Sequence, residues 1–371
     1  MDFFLVGGAV RDQLLNLTIN DRDWVVVNGS ANEMIALGFI PIGKSFPVFL
    51  HPKTKEEYAL ARTEKKVGPG YKGFQVNSSK NITLEQDLKR RDLTINSMAL
   101  DNEKKLIDPY GGLADIRNKL IRHTSTSFNE DPLRVLRTAR FAAQFHLLGF
   151  TVAVETKMLL KEISASGELD SISSDRVWLE TWKAMKSSSP EVFIKLISEI
   201  SALAIIFPTL NKLDDIYIKK LKKICRTTLN PHIRFALLSL LVEEIKPKSF
   251  QIFSKNTTIP KTIQKLTNSL IKYNPLMQNT ISPTPTDILF LLEKFNGFRD
   301  VTFFNTILTS YEIYYQNTLH LPKLLRVTQS AISKLKSTFL QKDSLTNYQK
   351  KQLVFNSRVT VITRILNKKT S

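Results

Sequence analysis

The stretch Gly7-Gly8-Ala9-Val10-Arg11-Asp12, followed closely by Asp21-Arg22-Asp23-Trp24-Val25-Val26-Val27, decides the reading of this chain. The apolar run Phe3 to Val6 reads as a strand, and the Gly-Gly turn after it frees backbone N–H groups at the start of a helix, where they can hold phosphate. The triplet then opens a β-branched run that reads as a second strand. Residues two apart in a strand share a face, so the spacing predicts Asp21 and Asp23 side by side with Arg22 pointing away. Two carboxylates so close repel unless a cation lies between them. Mg²⁺ suits such a pair, because it takes one or two carboxylates and completes its shell with phosphate and water. Either feature alone is more often plain turn chemistry or a solvated strand edge, so the reading depends on what lies downstream.

Arg90-Arg91-Asp92-Leu93-Thr94-Ile95-Asn96-Ser97-Met98 carries an apolar rhythm under dense polar groups. It reads either as an amphipathic helix with a basic start, or as a site segment. In the second reading Arg91 forks onto triphosphate oxygens, with Asp92 and Asn96 orienting it or contacting a ribose. Asp108-Pro109-Tyr110-Gly111-Gly112 reads as a turn feeding a short helix, with a structural role. In Glu130-Asp131-Pro132-Leu133-Arg134-Val135-Leu136-Arg137-Thr138-Ala139-Arg140, acids and a proline mark a helix N-terminus. Asp131, Arg134, Arg137 and Arg140 recur every third residue and form a ridge of roughly 13–14 Å, about the span of a nucleoside triphosphate. Asp131 and Arg134 can face a base while Arg137 and Arg140 meet phosphates. An exposed face of i, i+3 ion pairs is the bland alternative.

In order and spacing these segments resemble the bacterial class II tRNA nucleotidyltransferases, the CCA-adding enzymes, over roughly residues 1–185. The resemblance extends to Glu56-Glu57-Tyr58-Ala59-Leu60 and to Ser174-Asp175-Arg176-Val177-Trp178-Leu179-Glu180, which looks like the segment that sets the helices behind the nucleotide pocket. It implies an α+β architecture. A polymerase-β-type head with a mixed or antiparallel sheet (1–123) would be followed by an all-helical neck (124–200), then a body and tail that hold tRNA (201–371). It also implies that Asp21 and Asp23 bind Mg²⁺ and that Gly8, Arg11, Arg91, Arg137 and Arg140 bind the nucleotide. Asp131 and Arg134 would read the base, and Glu57 would add a third carboxylate. The expected reaction adds CMP, CMP and AMP to the tRNA 3′ end from CTP and ATP, releasing pyrophosphate. Lys65 to Phe74, rich in glycine, resembles the family's lid loop.

Fifty-three Lys and Arg against 34 Asp and Glu give a formal charge of +19, which suits a polyanionic partner. No RNA-recognition, KH or zinc-knuckle pattern occurs, so the acceptor and T arms of tRNA would be recognised by shape and backbone. There is no secretory or membrane-spanning apolar run, and Cys225 is the one cysteine, which points to the cytoplasm with no obligate protein partner. From about residue 124 the apolar positions recur at three and four, predicting helices that include 152–163, 177–185, 191–200, 233–245 and 288–294. Some members of the family carry a C-terminal phosphohydrolase whose metal is held by a His-Asp pair. Here Arg234-Phe235-Ala236-Leu237-Leu238-Ser239 resembles the lead into that pair, but Leu240 and Leu241 follow, and no His-Asp dipeptide occurs in the chain. The expectation is a degenerate region without phosphatase activity. A poly(A) polymerase, a relative adding only CC or only A, and a non-catalytic RNA-binding protein are the rival readings.

Overall fold

The computed structural model describes residues 1–42, 48–66, 74–208, 210, 212–278, 283–335 and 346–370. Residues 67–73 of the glycine-rich lid loop and Ser282 of the Pro-Thr-rich stretch lie outside the described residues. The chain divides into two compact units, Met1–Ile218 with Lys255–Thr258, and Lys219–Ser254 with Ile259–Ser371.

The first unit opens on a seven-stranded sheet built from β1 (Asp2–Val6), β2 (Asp23–Val27), β3 (Ile40–Ile42), β4 (Val48–Leu50) and β5 (Glu57–Leu60). A separate hairpin, β6 (Thr63–Lys66) and β7 (Phe74–Asn77), precedes the sheet's last strands, β8 (Ala99–Leu100) and β9 (Leu106–Ile107). The order is β3-β4-β5-β2-β1-β8-β9, with β2–β5 parallel and the other neighbours antiparallel. The β-branched run makes β2 a central strand. Val25 and Val27 face a core with Val6, Leu88 and Ala99, while Val26 faces Met34, Phe49 and Leu60 on the other side.

Four short helices attend the sheet: α1 (Gly8–Leu14), α2 (Ala31–Ala36), α3 (Leu84–Lys89) and α4 (Gly112–Arg117). Reciprocal Ser30–Glu33 and Thr83–Gln86 capping boxes start α2 and α3. The Asp108 carboxylate accepts the N–H groups of Gly112 (2.7 Å) and Leu113 (2.9 Å), fixing the start of α4. Gly112 packs so tightly that a Cβ would stand 2.4 Å from the Thr94 carbonyl.

The helical part of this unit follows, with α5 (Leu133–Phe145), α6 (Val154–Ala165), α7 (Ser174–Lys186) and α8 (Pro190–Glu199). A short parallel pair, β10 (Leu120–Ile121) with β11 (Thr151–Val152), joins the segment before α5 to the segment after it. Val152 therefore ends a strand, and the helix expected from that residue begins at Val154. Helix α5 packs against α7 and α8.

The second unit is helical throughout its described residues. It comprises most of α9 (Asp215–Thr227), then α10 (Pro231–Ile245), α11 (Ser249–Asn256), α12 (Lys261–Gln278), α13 (Pro285–Lys294), α14 (Val301–Tyr314), α15 (Leu321–Ser333) and α16 (Asn347–Thr370). Helix α10 is buried on every side from Ile233 through Val242, mostly by apolar side chains with Arg234 and Ser239 among them, and lies in the core of the unit. No helix among the described residues is long and apolar enough to cross a membrane.

Candidate active site

Strand pairing assembles the first part of the site. Val6, the last residue of β1, pairs with Asp23, the first of β2, and Asp23 pairs in turn with Glu57, the first of β5. The Gly-Gly turn thus lies beside Asp23, with Glu57 on its other side. Strand β2 opens at Asp23, so the expected placement of Asp21 inside the strand is corrected. Asp21 lies in the connection just ahead, because the register with β1 ends at the Val6–Asp23 pair. Gly7 takes φ +71°, and a Cβ there would stand 3.0 Å from the Arg91 guanidinium. The positive φ favours glycine, and a Cβ there would push the Arg91 guanidinium aside by a few tenths of an ångström.

These residues border a cavity of about 810 Å³ that also receives the ridge of α5. Gly8, Arg11, Asp21, Asp23, Glu57, Arg91, Arg134, Arg137 and Arg140 all line it. Asp131 does not. Its carboxylate accepts the Leu133 N–H at 3.1 Å and the Arg176 guanidinium at 2.8 Å, so α7 holds it at the entrance to α5.

The cationic side chains are held by a buried network. Asp92 accepts Nε and NH2 of Arg137 at 2.7 Å each, and its other oxygen accepts the Asn96 amide at 3.0 Å. Asn96 in turn accepts Arg11 NH1 at 2.6 Å. Burial opposes ionisation of Asp92, yet Arg137, Asn96 and Arg134 together hold it well below the usual carboxylate range. Arg137 is correspondingly raised, first by Asp92. Arg140 donates to Glu180 at 2.5 Å, and Asp87, fully buried, binds both Arg90 (2.7 Å) and Arg91 (3.1 Å). The Phe141 ring lies 3.9 Å from the Arg140 guanidinium carbon and 5.1 Å from that of Arg11, spacing the two cations by cation–π contact. Arg134 donates to the carbonyls of Ser127 (2.7 Å) and Arg90.

Glu180, Asp87 and Phe141 are the residues whose roles the sequence reading left unassigned. Asp87, Arg90 and Arg91 carry a legible i, i+3, i+4 spacing. Glu180 and Phe141 give no local signal of the arginines they meet.

Among the described residues eight basic side chains against five acidic ones line the cavity, an excess that favours a polyanion. Arg91 Nε is buried with no hydrogen-bond partner among the described residues, the kind of orphan donor a phosphate oxygen satisfies. Asp23 is raised by partial burial and then by the charge of Asp21, while Arg91 pulls the other way. A carboxylate pair under mutual repulsion, offering only hard oxygen donors, fits a divalent cation. Among the described residues no three His, Cys, Asp or Glu side chains form a complete metal nest, so substrate and water oxygens would finish the shell.

Sheet, glycine turn and arginine ridge together define a nucleotidyltransferase head joined to a helical neck. Residues 3–122 match the poly A polymerase head domain, and residues 149–213 match the probable RNA and SrmB-binding site of polymerase A. A CCA-adding enzyme of Pseudomonas putida is 45% identical over 299 residues, covering 81% of this chain and 80% of its own. A multifunctional CCA protein of Pasteurella multocida is 56% identical over 216 residues, 58% of this chain and 51% of that protein. The chain thus spans about half the length of several curated relatives it matches. A solved CCA-adding enzyme in an apo form shares the fold, with a TM-score of 0.75 over 99% of this chain and 92% of its own at 22% identity. The chain belongs to the class II CCA-adding enzymes, a family of tRNA nucleotidyltransferases. Nucleotidyltransferases of this family generally use a divalent metal.

Proposed function

We propose that this chain builds and repairs the CCA end of tRNA, adding CMP twice and AMP once from CTP and ATP and releasing pyrophosphate. The observation that carries the reading is the single cavity that gathers the carboxylates of β2 and β5, the glycine turn and the arginines of α5. Asp21 and Asp23 would hold Mg²⁺, with Glu57 beside them. When bound, the metal lowers the pKa of the RNA 3′-hydroxyl and offsets triphosphate charge. Gly8, Arg11, Arg91, Arg137 and Arg140 position the triphosphate, and Arg134 selects the base together with Asp131, which would have to exchange its Arg176 contact for the base when the nucleotide binds. Positioning and charge stabilisation supply most of the acceleration in such chemistry. The tRNA acceptor and T arms are the partner, in keeping with the net charge of +19. The working division is head 1–123, neck 124–200, and body with tail 201–371, acting in the cytoplasm without an obligate protein partner.

The test supplies Mg²⁺ and a tRNA ending at the discriminator base with CTP, ATP or both, resolving products at single-nucleotide length. Two additions with CTP and a third only with ATP are expected. A long ladder from ATP alone would indicate poly(A) synthesis, a stop after one kind of addition a partial-function relative, and no extension a non-catalytic RNA-binding protein.

A further inference from the structure

A second cavity, of about 400 Å³, adjoins the nucleotide cavity and is lined by Arg140, Gln144, Lys183, Lys186, Ser187 and Ser188. Arg140, Gln144 and Lys183 border both spaces. Its place beside the nucleotide cavity follows from α5. Along that helix the ridge runs from Arg134 through Arg137 to Arg140, and Gln144 lies one turn further on. Arg140 is linked towards the glycine turn through Arg11, because the Phe141 ring lies 3.9 Å from the Arg140 guanidinium carbon and 5.1 Å from that of Arg11. The Arg11 guanidinium in turn lies 3.4 Å from where a Gly8 Cβ would stand. With the triphosphate assigned to Arg140 and the base to Arg134 as above, the annex adjoins the phosphate end of the nucleotide cavity.

Its chemistry is that of an anion site. Arg140, Lys183 and Lys186 supply three positive charges, and among the described residues no carboxylate lines the space. Glu180 takes Arg140 at 2.5 Å and Lys183 at 3.8 Å from a buried position. Among the described residues Lys186 pairs with no carboxylate; it lies exposed, 5.4 Å from the Trp182 ring. Ser187 donates to the Ala184 carbonyl and Ser188 to those of Ala143 and Gln144, so binding falls to the cations. Lysines in the last turn of α7 also offset its carbonyl dipole. That role alone does not require a cavity shared with the buried Arg140.

We propose that this annex binds inorganic pyrophosphate as it leaves the nucleotide cavity, with Lys186 as the outermost contact. The assignment rests on the nucleotidyl-transfer reading above, in which pyrophosphate is released at the Arg140 end. A backbone phosphate of the RNA has the same chemistry, and the test separates the two sources.

The intact protein and its Lys186→Glu, Lys186→Gln and Lys186→Arg variants are compared by inhibition of CMP addition with added pyrophosphate, and by pyrophosphate-driven removal of the terminal AMP. Lys195→Glu, an exposed charge reversal on α8 outside both cavities, controls for long-range charge. Lys186→Glu is expected to weaken pyrophosphate about fivefold in both assays, with Lys186→Arg restoring it and the KM values for CTP and tRNA moving less than about twofold. Unchanged pyrophosphate constants, or an equal effect of Lys195→Glu, would overturn the proposal. A raised KM for tRNA with pyrophosphate unaffected would overturn it in favour of an RNA phosphate. Should the parent protein transfer no nucleotide, the nucleotidyl-transfer reading fails. Calorimetric titration of pyrophosphate into the parent and Lys186→Glu proteins then decides the annex, with equal affinities overturning it.

Discussion

Asp92 grips Arg137 through one carboxylate oxygen, which accepts both Nε and NH2 at 2.7 Å, although the two residues lie 45 positions apart. The pair joins the segment after α3 to the middle of α5 and fixes a cation on the wall of the nucleotide cavity. Asp92 → Asn keeps the shape but removes the charge. It should cost about 2 kcal/mol of stability and raise the KM for CTP and ATP together, with tRNA affinity little changed. Because the folded pKa of Asp92 is depressed, its stabilisation is present above the ordinary carboxylate range and is lost as pH falls through the lower folded value. Acid unfolding of parent and variant should therefore converge below that range, which a denaturation series against pH would check.

Asp23 behaves oppositely. Its pKa is raised, so its contribution is present at low pH and lost as pH rises through the elevated folded value. At neutral pH without metal, Asp23→Asn should therefore melt higher than the parent. Mg²⁺ should raise the melting temperature of the parent and leave that of the variant nearly unmoved. The same substitution, like Asp21→Ala, should lower kcat roughly a thousandfold while tRNA binding persists. Thermal melts with chelator and with Mg²⁺, beside a gel-based extension assay, read both effects. Retained transfer would rule out the metal assignment.

Gly7 is constrained twice, by its positive φ and by the Arg91 guanidinium 3.0 Å from a Cβ position. Gly7→Ala should destabilise the fold by about 1–2 kcal/mol and displace Arg91. The expected kinetic result is a nucleotide KM raised more than kcat is lowered, measured with saturating tRNA.

Leu240 and Leu241 are buried in α10, where a His-Asp pair would have to present metal ligands. Arg234, also buried, is occupied by the carbonyls of Thr228 (2.7 Å) and Cys225 (2.8 Å). No hydrolysis of phosphomonoesters or of 2′,3′-cyclic nucleotides is expected with any divalent metal. Activity that disappears on His232→Ala would refute this.

Much of the site was legible because its chemistry is local. The Gly-Gly turn, the D-x-D spacing and the arginine ridge are short-range patterns, each carried by one element and the residues just ahead of it. Glu180 was less legible, since nothing near it announces that it anchors Arg140, which lies 40 residues earlier. Asp131 shows the converse. Its place on the ridge is periodic, but its partner Arg176 lies on another helix and draws its carboxylate out of the cavity lining.

The sequence by itself determined the order of the motifs, the class of chemistry and the helical character of the chain from α5 onward, because periodicity, capping residues and turn glycines act over a few residues. Only the tertiary structure decided that Asp23 lies between Val6 and Glu57, that Asp92 and Glu180 each hold an arginine of α5, and that a basic annex adjoins the nucleotide cavity at Arg140. Strand register and buried ion pairs join residues tens of positions apart. Their geometry is set by how whole elements pack, which no local spacing encodes.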